Sequence, residues 1–302
     1  MSVIFLFRKD RENMSKKINS AKTVKELEAL FKCPFCSCPV QVLNLKSLVC
    51  SNNHTFDFAK QGYLNLMTHS AKSQYSKELF AARHQIIRES NMYSDVHTAI
   101  ISVIKKYICG DGNPFMIADL GCGEGSHLQS ILEGCTHPRL TGVGLDISKE
   151  GILMSSKKYE DPIWLVGDLV HSPFMNDSFQ VLLNILSPSN YKEFKRIAAP
   201  GGLVIKVVPS AYYLKEIRES LFPDTSNKQY KNDEIISLFK NNFHLLEVVH
   251  IQDTKKISKK ELENLVYMTP LAWTADKKQI EAFIDQDNAQ ITIDLEILIG
   301  LN

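Results

Sequence analysis

From Asn113 to the C-terminus, short apolar runs alternate with stretches in which apolar residues recur every three or four positions. The runs predict strands at Phe115–Asp119, Leu140–Asp146, Ile163–Val166, Phe179–Leu186, Leu203–Val208, Leu245–Ile251 and Gln290–Leu298. Between them the longer period predicts helices at Ser126–Glu133, Lys149–Tyr159, Asn190–Ala198, Tyr212–Leu221, Asp233–Lys240 and Ser258–Met268. Such alternation is the pattern of a parallel sheet covered on both faces. Residues 111–302 therefore read as a seven-stranded, doubly wound, Rossmann-like α/β domain, whose ligand belongs beyond the carboxyl ends of its first strands.

The front of the chain is patterned differently. Residues 1–31 read as a polar extension with a short helix over Thr23–Phe31, and Met14 is an alternative start. Residues 32–68 form a small cysteine-bearing module. Residues 69–110 hold an exposed polar loop and two helices, Lys77–Ser90 and Asp95–Ile108, the second with Val96, Ile100, Val103, Ile104 and Tyr107 on one face. The apolar run Val3–Phe7 falls far short of the ~20 residues of a membrane span, and no other run approaches it. The expectation is a cytoplasmic protein with no membrane partner.

Charge changes the picture more than composition does. The net charge is +1, but residues 1–110 carry 16 Lys+Arg against 8 Asp+Glu, which leaves 19 against 26 for residues 111–302. A basic front and an acidic rear point to a polyanion met by the first third of the chain.

Cys33-Pro34-Phe35-Cys36 is followed by Cys50-Ser51-Asn52-Asn53-His54, a C-x2-C and a C-x3-H separated by enough chain for a hairpin (Val40–Leu43, Leu48–Val49). Three thiolates and one imidazole fill the four positions of tetrahedral Zn2+, so Cys33, Cys36, Cys50 and His54 are expected to form a closed, structural site. Cys38 is the alternative to Cys36, but a two-residue gap is the usual knuckle. Beyond it, Phe56, Phe58 and Tyr63 interleave with Lys60, a mixture that can stack bases and touch phosphates, or else pack the module against its neighbour.

The first predicted strand runs into Asp119-Leu120-Gly121-Cys122-Gly123-Glu124-Gly125, a turn that brings backbone close to a ligand before a helix begins. Alone it is a weak signal shared with dinucleotide enzymes. Three carboxylates at successive strand ends (Asp119, Asp146, Asp168) and Pro200-Gly201-Gly202 before the fifth strand shift the expectation to S-adenosyl-L-methionine. Asp146 is placed to accept from the ribose hydroxyls.

With these residues in view, the chain resembles the zinc-containing 23S ribosomal RNA guanine-N1 methyltransferases, and looks closer to their Gram-positive branch. The likeness covers nearly everything from Cys33 onward. It rests on the cysteine and histidine pairs, Phe56-Asp57-x-Ala59-Lys60-x-Gly62-Tyr63, Ala82-Arg83, Asp119–Gly125, Ser187-Pro188 with Asn190-Tyr191, and Met268-Thr269-Pro270-Leu271. The resemblance implies a class I fold, methylation of guanine N1 in a hairpin loop, and a homodimer. It implies a cofactor held by Asp119, Gly121, Gly123, Glu124, Gly125, Asp146 and Asp168. Asn190 is the candidate at the base edge, and Lys60, Tyr63, Lys72, Arg83 and Arg88, with Lys46 and Lys77, are candidate RNA contacts. Asn184 stands where the family pattern expects a charged residue. A methyltransferase for another RNA or a small molecule, and a non-catalytic assembly factor, are the competing expectations.

Overall fold

The structure is a computed structural model that describes residues 15–69, 75–107, 114–137, 139–222, 231–286 and 289–302. Its centre is an eight-stranded sheet. In chain order the strands of the rear domain are β5 (Phe115–Leu120), β6 (Leu140–Asp146), β7 (Ile163–Val166), β8 (Phe179–Ile185), β9 (Ala198–Pro209), β10 (His244–Ile257) and β11 (Ala289–Leu301). The spatial order is β10-β11-β9-β8-β5-β6-β7-β4, where β4 is Leu64–Asn65. β5 to β9 pair in parallel, while β11 runs antiparallel to both β9 and β10. The chain order reverses beside β5, so the loops after β5 and β8 open over one crevice.

The seven expected strands are all present, and the eighth comes from the front of the chain. β4 pairs parallel with β7 through Leu64↔Leu165 and Asn65↔Val166. Two residues are too few for periodicity to reveal a strand; only the partner makes it one. The zinc module itself is a three-stranded antiparallel sheet of β1 (Val40–Leu43), β2 (Ser47–Cys50) and β3 (Thr55–Asp57).

The extension also has a structural place. Its helix α1 is Lys16–Glu26, with Ala21 and Val24 fully buried, and only a 3-10 turn (Glu28–Leu30) occupies the end of the segment expected to be helical. Ser20 donates to the carbonyl of Gly62, and Lys16 bonds the carbonyl of Lys157 and pairs with Glu160 at 3.0 Å. Further along, the chain is stitched to the large domain by Lys32 N–H to Pro173 O, Met175 N–H to Leu30 O and Leu66 N–H to Val166 O. Phe31, Leu48, Phe56, Phe58 and Leu66 share one apolar core with Leu120, Leu145, Leu165 and Phe174. The boundary expected at residue 68 therefore cuts through a common core.

The helices are α2 (Lys77–His84, continued by a single π turn, Gln85–Glu89), α3 (Ser94–Tyr107), α4 (Ser126–Gly134), α5 (Lys149–Lys158), α6 (Tyr191–Ile197), α7 (Lys215–Leu221), α8 (Asp233–Asn242), α9 (Lys259–Met268) and α10 (Lys277–Ile284). Sequence periodicity missed α10, whose only fully buried side chain is Phe283. Ser258 opens α9 with a complete capping box to Glu261. Expected Ile108 at the end of α3, and Lys72, lie outside the described residues.

Gly144 illustrates how tightly the sheet is roofed. A Cβ there would lie 2.4 Å from the indole of Trp164 and 2.9 Å from Cys122 Sγ. Gly144→Ala is expected to destabilise the protein by about 1–3 kcal/mol through overpacking, seen as a lower urea midpoint with an unchanged slope.

Candidate active site and metal centre

The glycine turn follows β5 with left-handed backbone at Gly121, Gly123 and Gly125. At two of these positions space as well as φ demands glycine. A Cβ on Gly121 would stand 1.9 Å from Ser187 Oγ, and one on Gly125 2.3 Å from Trp164. The first contact joins the turn after β5 to the loop after β8, so the two strand ends close on one another.

Four ionisable side chains gather above the turn. Asp119 and Glu124 are 1% and 0% exposed, and Asp119 Oδ1 and both Glu124 carboxylate oxygens have no hydrogen-bond partner. Arg83, from α2, brings its Nε to 2.9 Å from Glu124 Oε2, yet this Nε–H is not aimed well enough to make a hydrogen bond. Asp146 accepts from the backbone N–H of Gly123 (2.8 Å) and of Ser148 (2.7 Å). Burial pushes Asp119 up to about 7, and raises Glu124 and Asp146 from the ordinary carboxylate range, with Arg83 opposing each rise.

Three carboxylates against one guanidinium leave buried negative charge unmatched, and unpaired buried charge is costly. Glu124 Oε2 already faces Arg83, so Asp119 Oδ1 is the oxygen a cationic ligand would meet first. S-adenosylmethionine fits: its sulfonium and ammonium suit Asp119 and Glu124, its carboxylate suits Arg83, and its ribose suits Asp146.

Asp168 is half-buried and caps the N–H of Val170 at 2.8 Å. Asn190 is the N-cap of α6, its side chain accepting from Glu193 N–H at 3.2 Å. Tyr191 is buried against Phe194, Phe239 and Phe243. The polar support of this loop comes from elsewhere. Asn184 Nδ2 donates to Leu120 O (2.8 Å) and Pro188 O (3.0 Å), while its Oδ1 accepts from Ser189 Oγ (2.9 Å) and Lys206 Nζ (2.8 Å). Burial lowers Lys206 to about 8, and its Nζ also reaches Ser187 O at 3.3 Å. A single lysine inside the apolar run Leu203–Val208 was the available signal for it.

At the front, Cys33, Cys36, Cys50 and His54 offer ligand atoms that all lie within 4.8 Å of one another. Both Cys33 Sγ and Cys50 Sγ are 3.4 Å from His54 Nδ1, and Cys36 Sγ is 3.7 Å from Cys50 Sγ. A tetrahedron with bonds near 2.3 Å has edges of about 3.8 Å, so the four close around one Zn2+ with no position left over. Cys38 stands outside, accepting from Asn52.

Two family models match the chain: a zinc ribbon described as "RlmA, N-terminal" over residues 31–74 and "Methyltransferase domain" over residues 118–205. YxjB of Bacillus subtilis, provisionally named a 23S rRNA (guanine-N(1)-)-methyltransferase, is 38% identical over 90% of this chain and 97% of its own length. The chain belongs to the 23S rRNA (guanine-N1)-methyltransferase family. Another relative, the 23S rRNA (guanine(748)-N(1))-methyltransferase of Streptomyces fradiae, is 26% identical over 85% of this chain and 90% of its own. Among solved structures, the Haloferax volcanii complex of the Trm112 methyltransferase activator with a methyltransferase aligns over 77% of this chain and 99% of that one, at 19% identity and a TM-score of 0.47. Like its family, this protein is an S-adenosylmethionine-dependent enzyme with a structural zinc site.

Several residues expected at the RNA face of this methyltransferase have partners within the protein. Arg83 belongs to the acidic pocket. Arg88 makes a bidentate pair with Glu133 (2.8 and 3.1 Å) and bonds Ser130. Tyr63 is 7% exposed within the main core, and Phe56 and Phe58 are buried too. Lys46, Lys60 and Lys77 remain exposed.

Two outcomes are expected. Chelation of the metal, or Cys50→Ser, should open residues 33–58 to protease while the sheet of residues 114–302 stays protected, because the metal supplies much of the ribbon's folding free energy. Affinity for S-adenosylmethionine should fall as pH drops from 8 to 6, by at most about tenfold per unit for one linked proton, and Asp119→Asn should flatten that profile in calorimetry. The apo protein should respond in the opposite sense: its Asp119 holds a proton more tightly than the unfolded chain's, at 3.8, so stability declines as pH climbs from about 4 to about 7.

Proposed function

We propose that this protein methylates N1 of one guanine in a hairpin loop of the large-subunit ribosomal RNA, acting in the cytoplasm. The observation that carries the proposal is the union in one body of a closed Cys3His cluster and an acidic, glycine-lined pocket. A relative named for this reaction aligns across both halves. Among the described residues no helix is long and apolar enough to cross a membrane.

When bound, S-adenosylmethionine supplies a methyl group activated by a positively charged sulfur. The pocket's task is to hold that charge: Asp119 and Glu124 would face it, Asp146 would offer its carboxylate to the ribose while its bonds to Gly123 and Ser148 fix the turn, and Arg83 would answer the carboxylate end. Guanine N1 carries a proton at neutral pH that has to leave around the transfer step. Asn184 and Asn190 are both committed to local hydrogen bonds, so the loop Ser187–Asn190 contributes placement rather than proton removal. Lys46, Lys60 and Lys77, with Lys72, are the candidates for phosphate contacts once Arg83 and Arg88 are subtracted. The family resemblance extends the proposal to a dimer that cradles one RNA between two ribbons.

The test is primer extension on ribosomal RNA after incubation with the enzyme and cofactor, because a methyl on guanine N1 blocks Watson-Crick pairing and stops the polymerase. One new stop in a large-subunit hairpin is expected, whether the RNA is free or in a subunit. Transfer to small metabolites with no new stop on RNA would overturn the assignment.

A further inference from the structure

Two aromatic side chains from segments outside the central sheet are substantially exposed and touch each other. Tyr75 is 41% exposed and Trp273 42%, and their rings meet edge to face with centroids 5.5 Å apart. They come from opposite parts of the chain. Tyr75 precedes α2, whereas Trp273 sits in the short 3-10 turn Pro270–Thr274, which the motif Met268-Thr269-Pro270-Leu271 leads into from the end of α9. Neither the cofactor site nor the zinc site accounts for that motif.

Position singles this pair out. Tyr75 also packs on Phe80, centroid to centroid 5.9 Å, and Phe80 is the residue that roofs the glycine turn. Its ring lies 3.4 Å from where a Cβ on Gly123 would be and 2.9 Å from one on Gly151. Arg83, one helical turn beyond Phe80, reaches the same glycine. Phe80 thus links Tyr75 to the backbone that cradles the cofactor, and Tyr75 links Phe80 to Trp273. Phe35, another exposed aromatic, stacks instead on Phe56 in the zinc ribbon.

A base that leaves its hairpin loses stacking on both faces, and enzymes acting on extruded bases restore it with aromatic side chains. We propose that Trp273, braced by Tyr75, is the platform on which the target guanine stacks while its N1 edge faces the pocket. The proposal rests on the assignment of a ribosomal guanine as substrate. An indole offers a broad π-face, and the edge-to-face contact with Tyr75 fixes its orientation while leaving much of its surface open. The two residues act as a positioning device contributed by segments outside the central sheet.

The chain has two tryptophans, and the other, Trp164, is 3% exposed, so solvent-sensitive emission reports on Trp273. The protein is titrated with a hairpin transcript containing the guanine located by primer extension, and with the same hairpin made abasic at that nucleotide. Quenching by the first and not by the second is expected, and Trp273→Phe should abolish it. Trp273→Ala should raise the KM for the hairpin by roughly 10- to 100-fold, in line with the contribution of one base–aromatic stack. Trp273→Phe should restore most of this loss, and affinity for S-adenosylhomocysteine should stay within twofold in both variants. Equal quenching by the abasic hairpin, or an unchanged KM in Trp273→Ala while the wild type transfers methyl, overturns the platform alone. If the wild type transfers no methyl to any hairpin, the substrate assignment falls and the platform with it.

Discussion

The ion pair between Arg83 and Glu124 is the constraint on which the site depends. Glu124 sits within the glycine turn and is fully buried; Arg83 belongs to α2, far from the turn in sequence. Removing one partner of such a pair costs on the order of 3–5 kcal/mol, because the other is left as an uncompensated charge. The pair therefore does two things at once. It clamps α2, and Phe80 with it, over the cofactor crevice, and it offsets part of the negative charge that Asp119, Glu124 and Asp146 concentrate there. Burial favours the neutral forms of these three acids, and a cation brought among them would favour the ionised ones.

That arrangement explains why the pocket and the front of the chain cannot be treated as separate pieces. α2 supplies the arginine, β4 completes the sheet, and α1 with the residues around Phe31 shares an apolar core with β5 to β7. The zinc ribbon is held through backbone hydrogen bonds and packing rather than by a flexible tether. An RNA engaged by the ribbon would meet a surface whose position relative to the glycine turn is already set.

Much of this was legible from residue order. β6 and β7 begin and end where the apolar runs do, and the four metal ligands follow from spacing alone, because local pattern and close ligand pairs are short-range information. What residue order did not show is all long-range. β4 is a strand only because β7 lies beside it. Tyr63, Arg83 and Arg88 look like nucleic-acid contacts by residue type, and only the fold shows that one is core and two are paired with Glu124 and Glu133. Asn190 is a helix cap, while the groups that brace its loop, Asn184 and Lys206, come from neighbouring strands and become a pair only through the register that sets them opposite each other.

β4 carries one further consequence. A parallel sheet ends in a row of unsatisfied amide and carbonyl groups, and such a border recruits strands from other molecules. Here the border along β7 is covered by the two residues of β4, which belong to the front of the chain but lie outside the metal-bearing sheet. The large sheet thus borrows its outermost cover from residues that precede β7 by about a hundred positions, and a chain cut between β4 and β5 would leave β7 with an open margin, prone to clump.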